Sequence, residues 1–308
     1  MTATDTPPET AETPRRPRST LRALLVTARP KQWAKNVLVG AAPGAAGVAT
    51  DPDVVATTAL AFVAFSLMSS GAYFVNDARD AEADARHPRK RFRPVAAGEL
   101  SVTSAAATGV ALMLASLGVA LGAGEASFVA LLAGYGLMTL GYSVWLKHVP
   151  VVDMVVVAAG FVLRAIGGAF ATDLPISDWF LIVTSFGALF VVTGKRHAEH
   201  LDLGEDAAGH RESLATTTIL YHQHLLSISS AVTIVAYGLW ARETQMEQGG
   251  APWLLLSTLP FVMTFLRYVL LVLSGKGGEP EEILLHDREI QILVVAWAAL
   301  LGIGIYVA

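Results

Sequence analysis

The stretch NDARDAEADARHPRKRFR, residues 76–93, sets acids ahead of bases between two long apolar blocks. Asn76, Asp80 and Asp84 recur at every fourth residue and Asp77 lies three before Asp80, so on a continuous helix their oxygens share one face. Carboxylates packed this closely repel one another unless a cation screens them. Hard oxygen donors suit Mg2+, which takes one or two carboxylates and leaves its other positions to water and phosphate oxygens. Arg86, Arg89, Lys90, Arg91 and Arg93 then offer donors to phosphate oxygens beyond the metal's reach. The pattern predicts a metal–diphosphate site with a basic rim; the other reading is a solvated loop whose acids and bases pair with one another.

Charges elsewhere are sparse. Arg164 falls in the middle of an apolar run, where a charge costs ~2.5–3.5 kcal/mol on insertion scales, and is expected to face an internal polar cavity. Lys147 closes another apolar run, and either snorkelling or phosphate binding accounts for it. Lys195 and Arg196, in GKRHAE, face the same choice and are assigned to function. Arg267 reads as a snorkelling or packing residue, Asp287 and Arg288 as helix-capping residues. His197 and His200 read as interfacial, and no His spacing resembles a zinc site. Cysteine is absent, which removes disulfides and thiol chemistry.

The elements that must position these residues are membrane-spanning helices. Of the 308 residues 53% are hydrophobic and only 16% charged, against about a quarter charged in soluble domains; mean hydropathy is +0.51. A spanning helix needs roughly 20 mostly apolar residues. Nine segments qualify, near 33–50, 54–76, 102–122, 126–146, 151–170, 178–195, 225–241, 252–274 and 289–307, which predicts an all-α polytopic fold. Residues 1–20, rich in Thr, Pro, Glu and Arg, read as a disordered cytoplasmic arm rather than a cleaved signal peptide, and 21–308 as one transmembrane domain. With the N-terminus inside, all 22 Lys and Arg except Arg164, Arg242 and Arg267 fall on the inner side. The positive-inside rule therefore puts the motif loops in the cytoplasm and the C-terminus outside. Gly134, Gly136 and Gly141 on one helix, and Gly160, Gly167 and Gly168 on another, are read as packing positions.

NDxxDxxxD at the inner end of the second span resembles the first Asp-rich motif of the UbiA superfamily of intramembrane prenyltransferases. The ordered set RPKQWAKNVLV (29–39), NDARDAEADARHPRKRFRPVAAG, YSVWLKHVPVVD (142–153), GFVLRAIGG (160–168), GKRHAE (194–199) and GEPEEILLHDR (278–288) resembles one branch, the decaprenyl-phosphate phosphoribosyltransferases. Two features depart from the pattern: Ala85 stands where that branch has Arg, with Arg86 following, and the second motif is thin, offering Tyr142, Lys147 and Asp153.

The resemblance implies a UbiA-like bundle in a bacterial plasma membrane. It implies Mg2+-dependent transfer of 5-phosphoribose from phosphoribosyl diphosphate (PRPP) to a polyprenyl phosphate, releasing diphosphate, for cell-wall arabinan. Asn76, Asp77, Asp80 and Asp84 would then hold Mg2+ and diphosphate, with Asp153 as a second-side ligand. Arg29, Lys31, Lys35, Lys90, Arg91 and Arg93 are candidates for the sugar or lipid phosphate, and Tyr142, Lys147, Arg164, Lys195 and Arg196 complete the lining. A phosphate oxygen needs no strong base to act as nucleophile, and none is nominated. No nucleic-acid partner is expected; a homo-oligomer is compatible with the sequence, with no number fixed. The rival readings are an aromatic prenyltransferase with a prenyl diphosphate donor, a transporter of a phosphorylated metabolite, and an interaction scaffold. Polar residues gathered at one face disfavour the transporter, since transporters bind near the midplane.

Overall fold

The computed structural model describes residues 18–203, 216–275 and 280–307, all helix and connecting turns with no strand among them. In chain order the helices are α1 (Thr20–Ala28), a 3-10 helix (Pro30–Gly40) running into α2 (Ala41–Ala45), α3 (Pro52–Arg79), α4 (Ala81–Arg86), α5 (Val102–Gly122), α6 (Ala126–Val144), α7 (Val152–Ala171), α8 (Asp178–Leu203), α9 (Ile219–Gln248), α10 (Trp253–Leu273), α11 (Pro280–His286) and α12 (Arg288–Tyr306). Eight of these, α3, α5–α10 and α12, are long and apolar enough to cross a membrane. Their outer faces expose Leu114, Leu137, Leu259 and Val295, as lipid-facing surfaces do. Polar caps start the long helices: Asp51, Ser101, Thr218 and Asp287 each accept a backbone N–H from the first turn of α3, α5, α9 and α12.

The first predicted span, 33–50, takes a form that apolar content did not reveal. Its residues sit in the 3-10 helix and α2 rather than in one long α-helix. The 3-10 form rises about 2.0 Å per residue, so its 11 residues cover roughly 22 Å, and the five of α2 add about 7.5 Å. That reaches the thickness of a hydrocarbon core, about 30 Å. The ends agree: Arg29 pairs with Asp77 near the end of α3, and at the other end Tyr306, closing α12, donates its hydroxyl to the Gly44 carbonyl. The segment thus runs from the end of the bundle bearing the acidic motifs, the motif face, to the far face.

Close backbone approach fixes this arrangement. A Cβ at Gly168 of α7 would lie 1.8 Å from the Val39 carbonyl oxygen, so only glycine lets the 3-10 helix lie against α7. Between α3 and α5, Gly71 and Gly109 face each other, and a Cβ on either would stand within 2.8 Å of the other's carbonyl oxygen. Gly136 and Gly167 are close-packed against Met68 and Phe65, whereas Gly134 and Gly141 have open space or one loose contact. A core of Val39, Phe65, Met68, Phe128, Leu132 and Tyr135 joins α3, α6 and the 3-10 helix below the motif face. A second core of Phe190, Leu226, Tyr268 and Val272 joins α8, α9 and α10.

Of the expected N-terminal arm, residues 1–17 lie outside the described residues. Arg18 is held by Glu99 at 2.9 Å and by the Phe92 carbonyl, and Ser19 caps α1. Residues 278 and 279 of the GEPEEILLHDR string also lie outside. Asp287 caps α12 as expected and meets Arg267 at 2.9 Å, which ties α10 to α12.

Candidate active site

The acidic motif straddles a break in the helix. The sequence pattern treats Asn76, Asp80 and Asp84 as one face of a continuous helix, but α3 ends at Arg79 and α4 begins at Ala81, with Asp80 between them outside helical geometry. On a straight helix Asp77 and Asp84 would be separated by about 10.5 Å of rise. With the break, both reach one nitrogen: Arg93 Nη1 donates to Asp77 Oδ1 at 3.2 Å and to Asp84 Oδ2 at 2.7 Å. Asp77 is 2% exposed and Asp84 is also buried. Arg29 adds a second guanidinium to Asp77 at 2.7 Å and lies 4.4 Å over the Tyr73 ring. It does so from the left-handed turn (φ 54°) that ends α1 and starts the 3-10 helix.

Asp80 turns elsewhere, to Arg79 at 2.8 Å and Lys147 at 3.9 Å. Arg79 also donates to the Ser143 carbonyl at 2.6 Å, which ties the end of α3 to the end of α6. Asn76 is half-buried one turn before Asp80. Arg86 is exposed and meets Glu82 at 3.8 Å, whereas the guanidinium beside Asp84 belongs to Arg93. Lys31, Lys90 and Arg91 are exposed at the rim, Arg91 against the Phe92 ring.

A second cluster forms around Asp153, 1% exposed in the first turn of α7. Tyr142 donates to it at 2.7 Å, and Arg196 of α8 grips both of its oxygens at 3.0 and 3.3 Å while also meeting Glu199 at 2.6 Å. Asp153 is aimed by a strained turn: Val151 has φ 66° and ψ −51°, and Val152 N–H bonds back to the Pro150 carbonyl at 2.7 Å, a γ-turn. Positive φ at a β-branched residue is a true outlier, and such strain gathers at functional sites. Asp153 is therefore engaged by a guanidinium and a phenol from neighbouring elements. Lys195 precedes Arg196 on α8 and is half-buried.

Deeper in the bundle Arg164 is buried, as its position in the sequence required. Its Nε donates to Asn36 Oδ1 at 2.7 Å, Nη1 to the Gly160 carbonyl at 2.6 Å and Nη2 to the Tyr135 hydroxyl at 2.6 Å. Asn36 in turn donates to Ser66 at 3.0 Å. Lys35 lies 5.7 Å over the Phe161 ring, and Arg164 lies 6.0 Å over the same ring.

Sequence reasoning missed Asn36, Tyr135 and Glu199. Asn36 follows Lys35 and Glu199 lies three residues after Arg196, so each stood close to a candidate cation; Tyr135, one turn and more before Tyr142 in the apolar α6, gave no signal. His197 is buried and meets His222 edge to face, with His200 completing the group. The spacing within α8 alone concealed that His222 joins them from α9.

Among the described residues no three acidic or histidine side chains are placed to enclose a metal. Two carboxylates, Asp77 and Asp84, share one cationic nitrogen, Arg93 Nη1. That donor set fits Mg2+, which binds through one or two carboxylates and fills its remaining positions with water and substrate phosphate.

Fold and site together define a polytopic helical membrane protein with a buried acidic pair at one face and ion-paired cations around it. The chain belongs to the UbiA prenyltransferase family, whose model matches residues 37–286. It is 41% identical to a decaprenyl-phosphate phosphoribosyltransferase of Mycolicibacterium smegmatis over 99% of both chains. It is 42% identical to one of Mycobacterium tuberculosis over 94% of this chain and 96% of that one. The fold is shared with a UbiA homolog from Archaeoglobus fulgidus bound to DMAPP and Mg2+: TM-score 0.66, 19% identity, covering 93% of this chain and 100% of that one.

Proposed function

We propose that the protein transfers 5-phosphoribose from PRPP to a polyprenyl phosphate of the decaprenyl class and releases diphosphate, an early step toward cell-wall arabinan. The observation that carries this reading is the near-full-length identity of 40–42% to relatives bearing that activity in their names. The geometry supports it. An oxygen of the lipid phosphate attacks C1 of the ribose, the C1–O bond to diphosphate breaks, and the diphosphate leaves with the electron pair. A phosphate monoester has its second pKa near about 6, so the nucleophile is ionised without a general base. Catalysis then rests on stabilising charge on the leaving group.

Asp77 and Asp84 would hold Mg2+, with Asn76 and Asp80 adjoining; the ion when bound neutralises charge on the diphosphate. Arg93 and Arg29 meet these acids and also face outgoing phosphate oxygens. Lys147 and Lys195 line the approach. Asp153 pairs with Arg196 and accepts the Tyr142 hydroxyl, which supports a role in holding α7 and α8 in place beside the second-side ligand role its sequence position implies. The thin second motif, with Asp153 as its one acid, favours phosphoribosyl transfer over an aromatic prenyltransferase that grips a prenyl diphosphate between two acidic motifs. The motif face is assigned to the cytoplasm of a bacterial plasma membrane, where soluble PRPP and the lipid acceptor meet.

The test is incubation of purified protein with labelled PRPP and decaprenyl phosphate, with Mg2+ or with EDTA. Labelled lipid that forms only with Mg2+ is expected; transfer of a prenyl chain to an aromatic acid, with no labelled lipid, overturns the reading.

A further inference from the structure

Arg29, Arg93 and Arg196 each meet a carboxylate within 3.0 Å. Arg164, 7% exposed, meets none among the described residues: its partners are an amide, a backbone carbonyl and a phenol. A guanidinium keeps its proton and carries five N–H donors. Three are spent on those partners, which leaves two, one on each terminal nitrogen. A helix-to-helix tie needs no charge here, since the same bundle makes such ties with neutral groups, as Ser116 does to the Ala64 carbonyl. The surroundings hold the head without neutralising it. Ser66 fixes Asn36, and the Tyr135 ring lies 4.8 Å from the guanidinium carbon. A guanidinium held rigid, with a donor unspent on each terminal nitrogen, is a fork suited to the oxygens of a phosphate.

Resting on the phosphoribosyl-transfer reading, we infer that Arg164 binds the phosphate monoester of the lipid acceptor, with Asn36 and Tyr135 as positioning residues. Depth separates this seat from the donor's. The Nη1 bond to the Gly160 carbonyl shows the side chain leaning back toward the start of α7, as helical side chains do. The head therefore lies near the level of Gly160, eight residues and about 12 Å inside Val152. A soluble donor enters from the motif face and meets Asp77, Asp84, Arg29 and Arg93 first. An anion carried on a polyprenyl chain approaches from within the bilayer and reaches the inner cation. Lys35, against the same Phe161 ring, adds a second positive charge to that seat.

Binding of radiolabelled decaprenyl phosphate to the full-length protein in detergent, without donor, tests the assignment. Decaprenol and ribose 5-phosphate serve as competitors. Wild type is expected to prefer decaprenyl phosphate over decaprenol by about tenfold or more, the worth of one charged hydrogen bond, and ribose 5-phosphate in excess displaces no label. Arg164→Met brings the two lipids within about twofold, Arg164→Lys keeps part of the preference, and Tyr135→Phe weakens phosphate binding severalfold while its KM for PRPP holds. Should Arg164→Met fail to fold, Arg164→Lys and Tyr135→Phe carry the same comparison. Full preference retained in the Arg164 variants, or displacement of the label by ribose 5-phosphate, overturns the inference. A wild type that does not distinguish decaprenyl phosphate from decaprenol overturns the phosphoribosyl-transfer reading itself.

Discussion

The acidic pole and the Arg164 pole of this site handle buried charge in opposite ways. At the first, Asp77 and Asp84 are buried against Arg93 and Arg29, so acids and bases cancel and an arriving metal or phosphate competes with a partner already in place. At the second, Arg164 is buried against neutral acceptors among the described residues, and an arriving anion displaces none of their carboxylates. The first arrangement suits a ligand that brings both signs of charge, as a metal diphosphate does. The second suits a ligand that brings negative charge alone. The Asp153–Arg196 cluster is a third case, in which one buried guanidinium serves two carboxylates, Asp153 and Glu199, and braces α7 against α8.

Substitutions can break this contrast at either pole. The largest effect is expected from Asp77→Asn or Asp84→Asn, which remove one charge from the metal side and should lower transfer by on the order of 100-fold or more in the labelled-PRPP assay. Lipid-phosphate binding should stay within about twofold, since the acceptor seat lies at the other pole. Asp153→Ala removes the acceptor that Tyr142 and Arg196 share while Arg196 keeps Glu199, and should lower unfolding stability by about 1–3 kcal/mol in detergent melts. Adding Arg196→Met should return part of that loss; a double variant no more stable than the single one removes the brace role.

Gly168→Ala is expected to cost about 1–3 kcal/mol, because the new methyl meets the Val39 carbonyl. The shift of the 3-10 helix should also carry Asn36 away from Arg164 and weaken acceptor binding more than donor binding. Asp287→Ala is the smallest change, about 1 kcal/mol for a lost cap; its side chain meets Arg267 and the start of α12 rather than a residue of either pole, so it should move neither KM. The Arg267 hydrogen bond, helped by the Ile290 N–H, holds the Asp287 carboxyl below its ordinary value. Its contribution is therefore fully present above the unfolded carboxylate pKa, about 3.9, and is lost as pH falls through the lower folded value. A melt series through acid pH should show wild type and Asp287→Ala converging at the low end.

The acidic spacing, the apolar blocks and the isolated Arg164 were legible because each is a local property of the chain. Other features were written in contacts between distant residues. Arg29 reaches Asp77 across 48 positions and Arg164 reaches Asn36 across 128, separations at which neither residue type nor spacing names a partner. The 3-10 form of Pro30–Gly40 escaped because apolar content over 11 residues cannot separate a period of 3.0 from 3.6. The break at Asp80 escaped because fourfold spacing presumes the helix it was used to predict. The guanidinium that meets Asp84 comes from Arg93, nine residues on, a pairing that residue spacing does not name.

The most direct test is a two-substrate kinetic comparison of wild type, Asp77→Glu and Arg164→Lys, varying PRPP and decaprenyl phosphate independently at fixed Mg2+. The account predicts that Asp77→Glu raises the KM for PRPP and the Mg2+ requirement while the KM for decaprenyl phosphate holds, and that Arg164→Lys does the reverse. Both variants shifting the same substrate's KM would contradict the division of the site into a donor pole and an acceptor pole.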